Sequence, residues 1–145
     1  MNQHSRTLIM GILNMTPDSF YDGDKYLNRN SLVEKFKQLY QADIIDVGAE
    51  SSRPGSSPIS EQEEINRLSN MFDFLKNKDR FYSIDTYKPK VAKKAIEKGF
   101  NMLNDITGGK NLDMLKVASE CNVPIILMHM KGSPQNMQEN PKYNN

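Results

Sequence analysis

A chain of 145 residues, 37% hydrophobic and 26% charged, carries enough apolar side chains to bury the core of a domain. Its 19 Lys and Arg against 18 Asp and Glu exclude a broad basic field for nucleic acid and a polybasic run for anionic membrane, so any anionic ligand must be held locally. The single cysteine, Cys121, excludes an internal disulfide framework and reads as an inert, buried thiol in a cytoplasmic protein, while the polar start and Asn14 leave no stretch for a signal peptide or a membrane span.

In chain order, the apolar run Leu8 to Leu13 predicts a buried strand, followed by a long polar loop. Ser31 and Glu34 then read as a capping box ahead of Leu32, Val33, Phe36, Leu39 and Tyr40, one apolar stripe at helical spacing. A second strand is predicted over Ile44 to Val47. Ser60 and Glu63 repeat the capping pattern before a helix carrying Ile65, Leu68, Phe72 and Leu75. Phe81 to Ile84 predicts a third strand, and Pro89 the first turn of a third helix, with Val91, Ala92, Ala95 and Ile96 on its apolar face and Gly99 ending it in a left-handed residue. Met102 to Ile106, a helix from about Leu112 to Glu120, and Val123 to Met128 complete the series.

Alternation of strand and helix implies crossover units around a parallel sheet, either doubly wound or closed as a barrel. Polar residues cluster at the strand ends, at Asn14, Asp46, Asp85, Asn104 and His129. A barrel brings all its strand ends around one mouth, so five polar endings favour the barrel. The expected fold is therefore α/β: residues 1–145 as a partial TIM (β/α)8 barrel, about the first five strands with their helices, where a full barrel has eight.

Five segments could carry chemistry. GILNMTPDSFYDG, from Gly11 to Gly23, ends a strand in Asn14, whose amide oxygen is a hard ligand suited to magnesium, and enters a loop longer than ordinary turns need. IDVGAESSRPGSSP, from Ile45 to Pro58, sets Ser52 and the guanidinium fork of Arg53 near Gly55, a pattern suited to clamping an anion. In SIDTYKP, from Ser83 to Pro89, Asp85 can cap the next helix or face the mouth as a carboxylate able to hydrogen-bond a heterocycle. NDITGG pairs Asn104 with the Gly108 and Gly109 turn. LMHMKGSPQNMQENPKY, from Leu127 to Tyr143, places Met128 at a strand end; His129 reads as a structural histidine, since nothing near it completes a metal set or a triad.

Taken together, these segments resemble the dihydropteroate synthase family in order and spacing, over nearly all of the chain after Arg6. The resemblance implies a TIM barrel with a dihydropterin methyl diphosphate in its mouth, whose pyrophosphate is displaced by the amine of p-aminobenzoate. By position, Asn14 is similar to the family's magnesium (Mg2+) ligand. Ser52, where the family usually has threonine, and Arg53 match the loop that contacts p-aminobenzoate and the leaving group. Asp85 and Asn104 match pterin contacts, and Met128 an apolar wall of the pterin slot. The loops Thr16 to Asn28 and Glu50 to Ser60 are mobile in the family and close over the reacting centre. In this reading Asp85 answers positive charge spreading into the pterin, while magnesium and Arg53 answer negative charge on the departing group.

Tyr21, Asp24 and Tyr87 depart from the family pattern in ways loops tolerate. The family's later segments, which supply a further carboxylate, a lysine and an Arg and His pair, have no counterpart before Asn145. The expectation is a chain inactive alone, with open edges at its first and last strands that favour self-association or pairing with a separate C-terminal half. Two competing readings are a pterin-binding module such as a methyltetrahydrofolate-dependent corrinoid methyltransferase domain, and a non-catalytic fragment; Asn14, Ser52 and Arg53 favour the synthase.

Overall fold

The computed structural model describes residues 6–16, 29–51, 56–75, 80–132 and 142. Strands β1 (Met10–Asn14), β2 (Ile44–Gly48), β3 (Phe81–Asp85), β4 (Met102–Asp105) and β5 (Ile125–Leu127) alternate with helices α1 (Arg29–Gln38), α2 (Glu61–Leu68), α3 (Pro89–Glu97) and α4 (Leu112–Glu120). A 3-10 segment, Ser69–Phe74, follows α2. All neighbouring strands are parallel and lie in sequence order, β1-β2-β3-β4-β5. A doubly wound sheet reverses its strand order at a switch point, whereas a barrel wall does not, so this topology is the barrel's.

Side-chain alternation assigns the two faces. Leu13, Ile45, Val47, Tyr82, Ile84 and Leu103 form one core with Leu32, Leu68, Met71, Val91, Ala92, Ala95, Met114, Val117 and Ala118 from the helical layer. Phe36 of α1 packs against Tyr82 of β3, with ring centroids 6.3 Å apart, and against Phe74, at 5.3 Å. Each strand residue in that core alternates with one on the opposite, inner face, and the inner residues stand outside it. On that face Ile12 is 67% exposed at one edge and Ile126 38% exposed at the other, whereas Asp46 and Ser83 on the central strands are buried. Burying the helical face of these strands stabilises the fold by roughly 1.5–3 kcal/mol per large apolar side chain.

The element boundaries differ from the predicted ones where backbone chemistry overrides hydropathy. Asn14 and Asp85 are the last residues of β1 and β3, since the ladder is made by backbone groups and a polar side chain does not end it. β5 begins at Ile125 because Pro124 has no N–H to give; its carbonyl still accepts from Leu103 N at 2.9 Å. Ser31 does not cap its helix: α1 already includes it, and Glu34 pairs with Lys37 at 2.8 Å. Ser60 does cap α2, accepting from Glu63 N at 3.2 Å. That helix stops earlier than its apolar stripe, where Ser69 Oγ donates back to Asn66 O at 2.6 Å and the chain tightens into the 3-10 turn. Pro89 opens α3, and Gly99 follows it with φ +118. Cys121 is half-buried at the end of α4, more accessible than its predicted setting.

Candidate functional site

The strand register sets Asn14, Gly48, Asp85, Asn104 and Ile126 side by side across all five strands. This row runs along the carboxyl ends on the inner face, free of the helical layer. Four of its members come from four of the segments singled out in the sequence. Gly48 is the gap in it: a Cβ there would stand 3.3 Å from Asp85 Oδ2 and 3.7 Å from Asn14 Oδ1. The missing side chain leaves a slot between an amide oxygen and a carboxylate oxygen, floored by strand backbone.

One layer deeper lie Ile12, Asp46, Ser83 and Met102. Asp46 is 4% exposed and accepts a 2.9 Å hydrogen bond from Asn104 Nδ2. Its Oδ1, and Ser83 Oγ beside it, are buried without a hydrogen-bond partner among the described residues. Burial pushes the Asp46 carboxyl upward, against the opposing pull of the Asn104 hydrogen bond. Asp85 is displaced further, to about 7, first by its own burial and then by the negative charges of Asp46, Glu64, Asp105 and Glu50. It makes no cap for α3, whose N-cap is Lys88. Carboxyls perturbed in this way cluster at functional sites, which makes Asp85 a candidate.

The neck of the β2 to α2 connection is tied to the same corner. Glu50 accepts from Ile59 N at 2.9 Å, from Tyr87 Oη at 2.6 Å and from Lys88 Nζ, which also donates to Glu64 Oε2 at 2.7 Å. Against the upward push of burial, Lys88 and Tyr87 hold Glu50 below the usual carboxylate range. Sequence reasoning misses this cluster. In the sequence Tyr87 stands only as a departure in a loop, yet its hydroxyl is what bonds Glu50; a lysine just before a helix-opening proline gives no signal that its partners lie 38 and 24 positions upstream.

The other expected site residues fall elsewhere. Ser52 and Arg53, with Gly55, lie outside the described residues, as does most of the loop after Thr16. Met128 follows β5, its N–H donating to Asp105 O at 3.1 Å, and lines a neighbouring recess of about 310 Å³ with Thr107, Gly108, Lys110 and the exposed His129. The structure does not bring Met128 into the row itself. Asp105, on the helical face, shapes the turn instead, accepting from Thr107 N, Thr107 Oγ1 and Gly109 N. Gly108 has φ +68, and a Cβ there would meet Met128 O at 2.6 Å, so only glycine fits. Among the described residues no group of three or more His, Cys, Asp or Glu forms a metal centre by itself, and no helix is long and apolar enough to cross a membrane.

Residues 10–145 match the sequence model of a family described as pterin binding enzyme. The chain is 50% identical over 138 residues to a dihydropteroate synthase of Clostridium beijerinckii, covering 92% of this chain and 51% of that protein. In three dimensions it is similar to the Yersinia pestis dihydropteroate synthase solved as a sulfonamide drug complex, with a TM-score of 0.83 and 38% identity over 97% of this chain and 52% of that one. A Xanthomonas albilineans dihydropteroate synthase solved with 4-aminobenzoic acid gives a TM-score of 0.80 and 34% identity, covering 88% and 48%. The chain thus spans about half the length of the relatives it matches.

Proposed function

Because this chain belongs to the pterin-binding enzyme family, we propose that its strand ends form one share of a dihydropteroate synthase site, which joins a dihydropterin methyl diphosphate to p-aminobenzoate with release of pyrophosphate. The observation that carries this reading is the row Asn14, Gly48, Asp85 and Asn104, in which a glycine gap separates oxygen donors on the inner face of a barrel wall. A flat bicyclic ring enters such a gap, and its N–H groups find Asp85 and Asn104 beside it.

Asp85 is the group suited to the reaction's electrostatics. If the diphosphate departs before the amine has fully bonded, positive charge spreads into the pterin. An ionised Asp85 stabilises that charge, and its inclination to stay protonated in the free protein is offset as positive charge develops on the ring. No nucleophilic side chain is required, because the amine of the second substrate makes the new bond.

Asn14 suits a magnesium ion: its oxygen is a hard donor at an exposed strand end, and magnesium takes few protein ligands when a diphosphate and water supply the rest. Bound there, the ion would neutralise charge on the leaving pyrophosphate. Ser52 and Arg53 are assigned the p-aminobenzoate and leaving-group contacts by resemblance, with Glu50 holding the chain immediately before them. Met128 is assigned an apolar wall of the pterin slot on the same ground. We place the protein in the cytoplasm, where a reduced Cys121 is at ease.

The test is a fluorescence titration of the chain with a pterin and with its methyl diphosphate. Saturable binding of both, weakened at least tenfold by Asn104→Ala, is the expected result; equal affinity in the variant would remove the reading. Pyrophosphate release on addition of p-aminobenzoate then measures whether these residues turn over substrate without further chain.

A further inference from the structure

We infer that Asp46 is a positioning residue: it turns the Asn104 side chain so that the amide nitrogen faces down to Asp46 and the carbonyl oxygen faces the mouth, giving the site an edge made only of hydrogen-bond acceptors. For its ligand, this inference rests on the pterin reading above.

Donor and acceptor chemistry fixes the orientation. Asn104 Nδ2 lies 2.9 Å from Asp46 Oδ2, an oxygen that accepts, so the NH2 end of the amide faces Asp46. The two terminal atoms of an amide diverge, and the carbonyl oxygen is therefore aimed away from the buried layer. Beside it, in register on the next strand, stands Asp85, one strand spacing of roughly 4.8 Å across the sheet and an acceptor once ionised. Without Asp46 the amide could present either end. With it, the pair accepts from a ligand edge that offers N–H groups, as a 2-amino-4-oxopteridine does, and opposes an edge that replaces the amino group by a carbonyl oxygen.

A second observation separates this role from mere packing. Asp46 is almost fully buried, and its Oδ1 has no hydrogen-bond partner among the described residues, nor has the adjacent Ser83 Oγ. Burying a carboxylate with half its acceptors idle is costly, and an apolar residue would fill the same layer, occupied elsewhere by Ile12 and Met102, without that cost. Among the described residues, the side-chain hydrogen bond that Asp46 makes is the one that fixes Asn104.

The experiment uses the 145-residue chain, its Asp46→Leu and Asn104→Asp variants, and the double variant of Asp46→Asn with Asn104→Asp, which exchanges the two groups. Two probes are titrated by fluorescence: pterin, and lumazine, in which the 2-amino group is an oxo group. Nitrogen-15 spectra of the asparagine side chains are recorded in parallel. The expected result is a pterin preference reduced roughly tenfold in each single variant and restored to within about threefold in the double, where the carboxamide now at position 46 donates to the carboxylate now at position 104 and an acceptor again faces the mouth. The Asn104 NH2 signals should lose their hydrogen-bonded shift in Asp46→Leu, which removes the acceptor. An unchanged pterin preference in Asp46→Leu, no recovery in the exchange, or unchanged Asn104 signals in Asp46→Leu would overturn the inference. If the parent chain binds neither probe while the Asn104 signals respond, the pterin reading fails and the positioning of Asn104 stands. If pterin binds and the signals do not respond, the reverse holds.

Discussion

Lys88 Nζ lies 2.7 Å from Glu64 Oε2, so the residue just before α3 reaches back to a glutamate 1% exposed on α2 and holds Glu50 with the same ammonium. A cation at a helix N-terminus opposes the helix dipole, and the two carboxylates offset that cost. The arrangement joins the end of β2, α2 and the start of α3 into one corner at the carboxyl ends of the strands.

Replacing Lys88 by Met removes the charge and leaves two carboxylates facing each other in a poorly hydrated corner. We expect a loss of ~3 kcal/mol in urea unfolding at pH 7, and a smaller loss for Lys88→Arg, which keeps the charge. The sign with pH follows from Glu50, whose carboxyl is held below its ordinary 4.5: the stabilisation is present above that value and is lost as pH falls through the depressed one. A Lys88→Met protein as stable as its parent at pH 7 would show the cluster to be ornamental.

Asp85 acts in the opposite direction. Its carboxyl is raised from 3.8 to about 7, so between these values the folded chain holds a proton that the unfolded chain has lost, and stability falls as pH rises through the interval. Asp85→Asn has no such proton to lose. Its melting temperature relative to the parent should therefore climb from pH 5 to pH 8, while its affinity for a pterin drops. A constant difference across that range would mean that Asp85 is ordinarily ionised.

Gly48→Ala places a methyl group 3.3 Å from Asp85 Oδ2. The contact is tight but not prohibitive, and a strand welcomes alanine over glycine by roughly 0.5–1 kcal/mol. Pterin binding should fall by at least tenfold with unfolding free energy altered by no more than ~1 kcal/mol, since the slot is filled while the core on the other face is untouched. Binding at parental strength would show that the gap is not the ligand's place.

Asn14→Ala separates the metal from the ring. It should weaken the methyl diphosphate ligand roughly tenfold in the presence of magnesium and leave pterin itself unchanged, because only the diphosphate shares the ion. Equal weakening of both ligands would place Asn14 against the ring instead.

Much of the site was legible in the residues alone. Asn14, Asp85 and Asn104 stand out as polar endings on apolar runs, and a parallel sheet sets successive strand ends in one line, so their meeting follows from local pattern and the geometry of the ladder. Asp46 was visible too, but as one of the polar strand endings; that it sits in the middle of β2, one layer below the others, depends on register, which hydropathy does not specify. The Glu50, Glu64, Tyr87 and Lys88 cluster was illegible, because ion pairs between residues far apart in sequence leave no periodicity to read. Ser52 and Arg53 lie outside the described residues.

The sequence by itself determined the alternation of five strands with helices, the apolar face each helix buries, and the oxygen-bearing side chains that end the strands. Those are local properties, set by spacing and by the need to bury apolar surface. Only the tertiary structure decided that the strands stay in chain order with the helical layer on one face, which gap lies between which oxygens, and how far burial and neighbouring charge lift Asp85. Electrostatic energy depends on distances through space, and distances across the sheet are fixed by packing rather than by position along the chain.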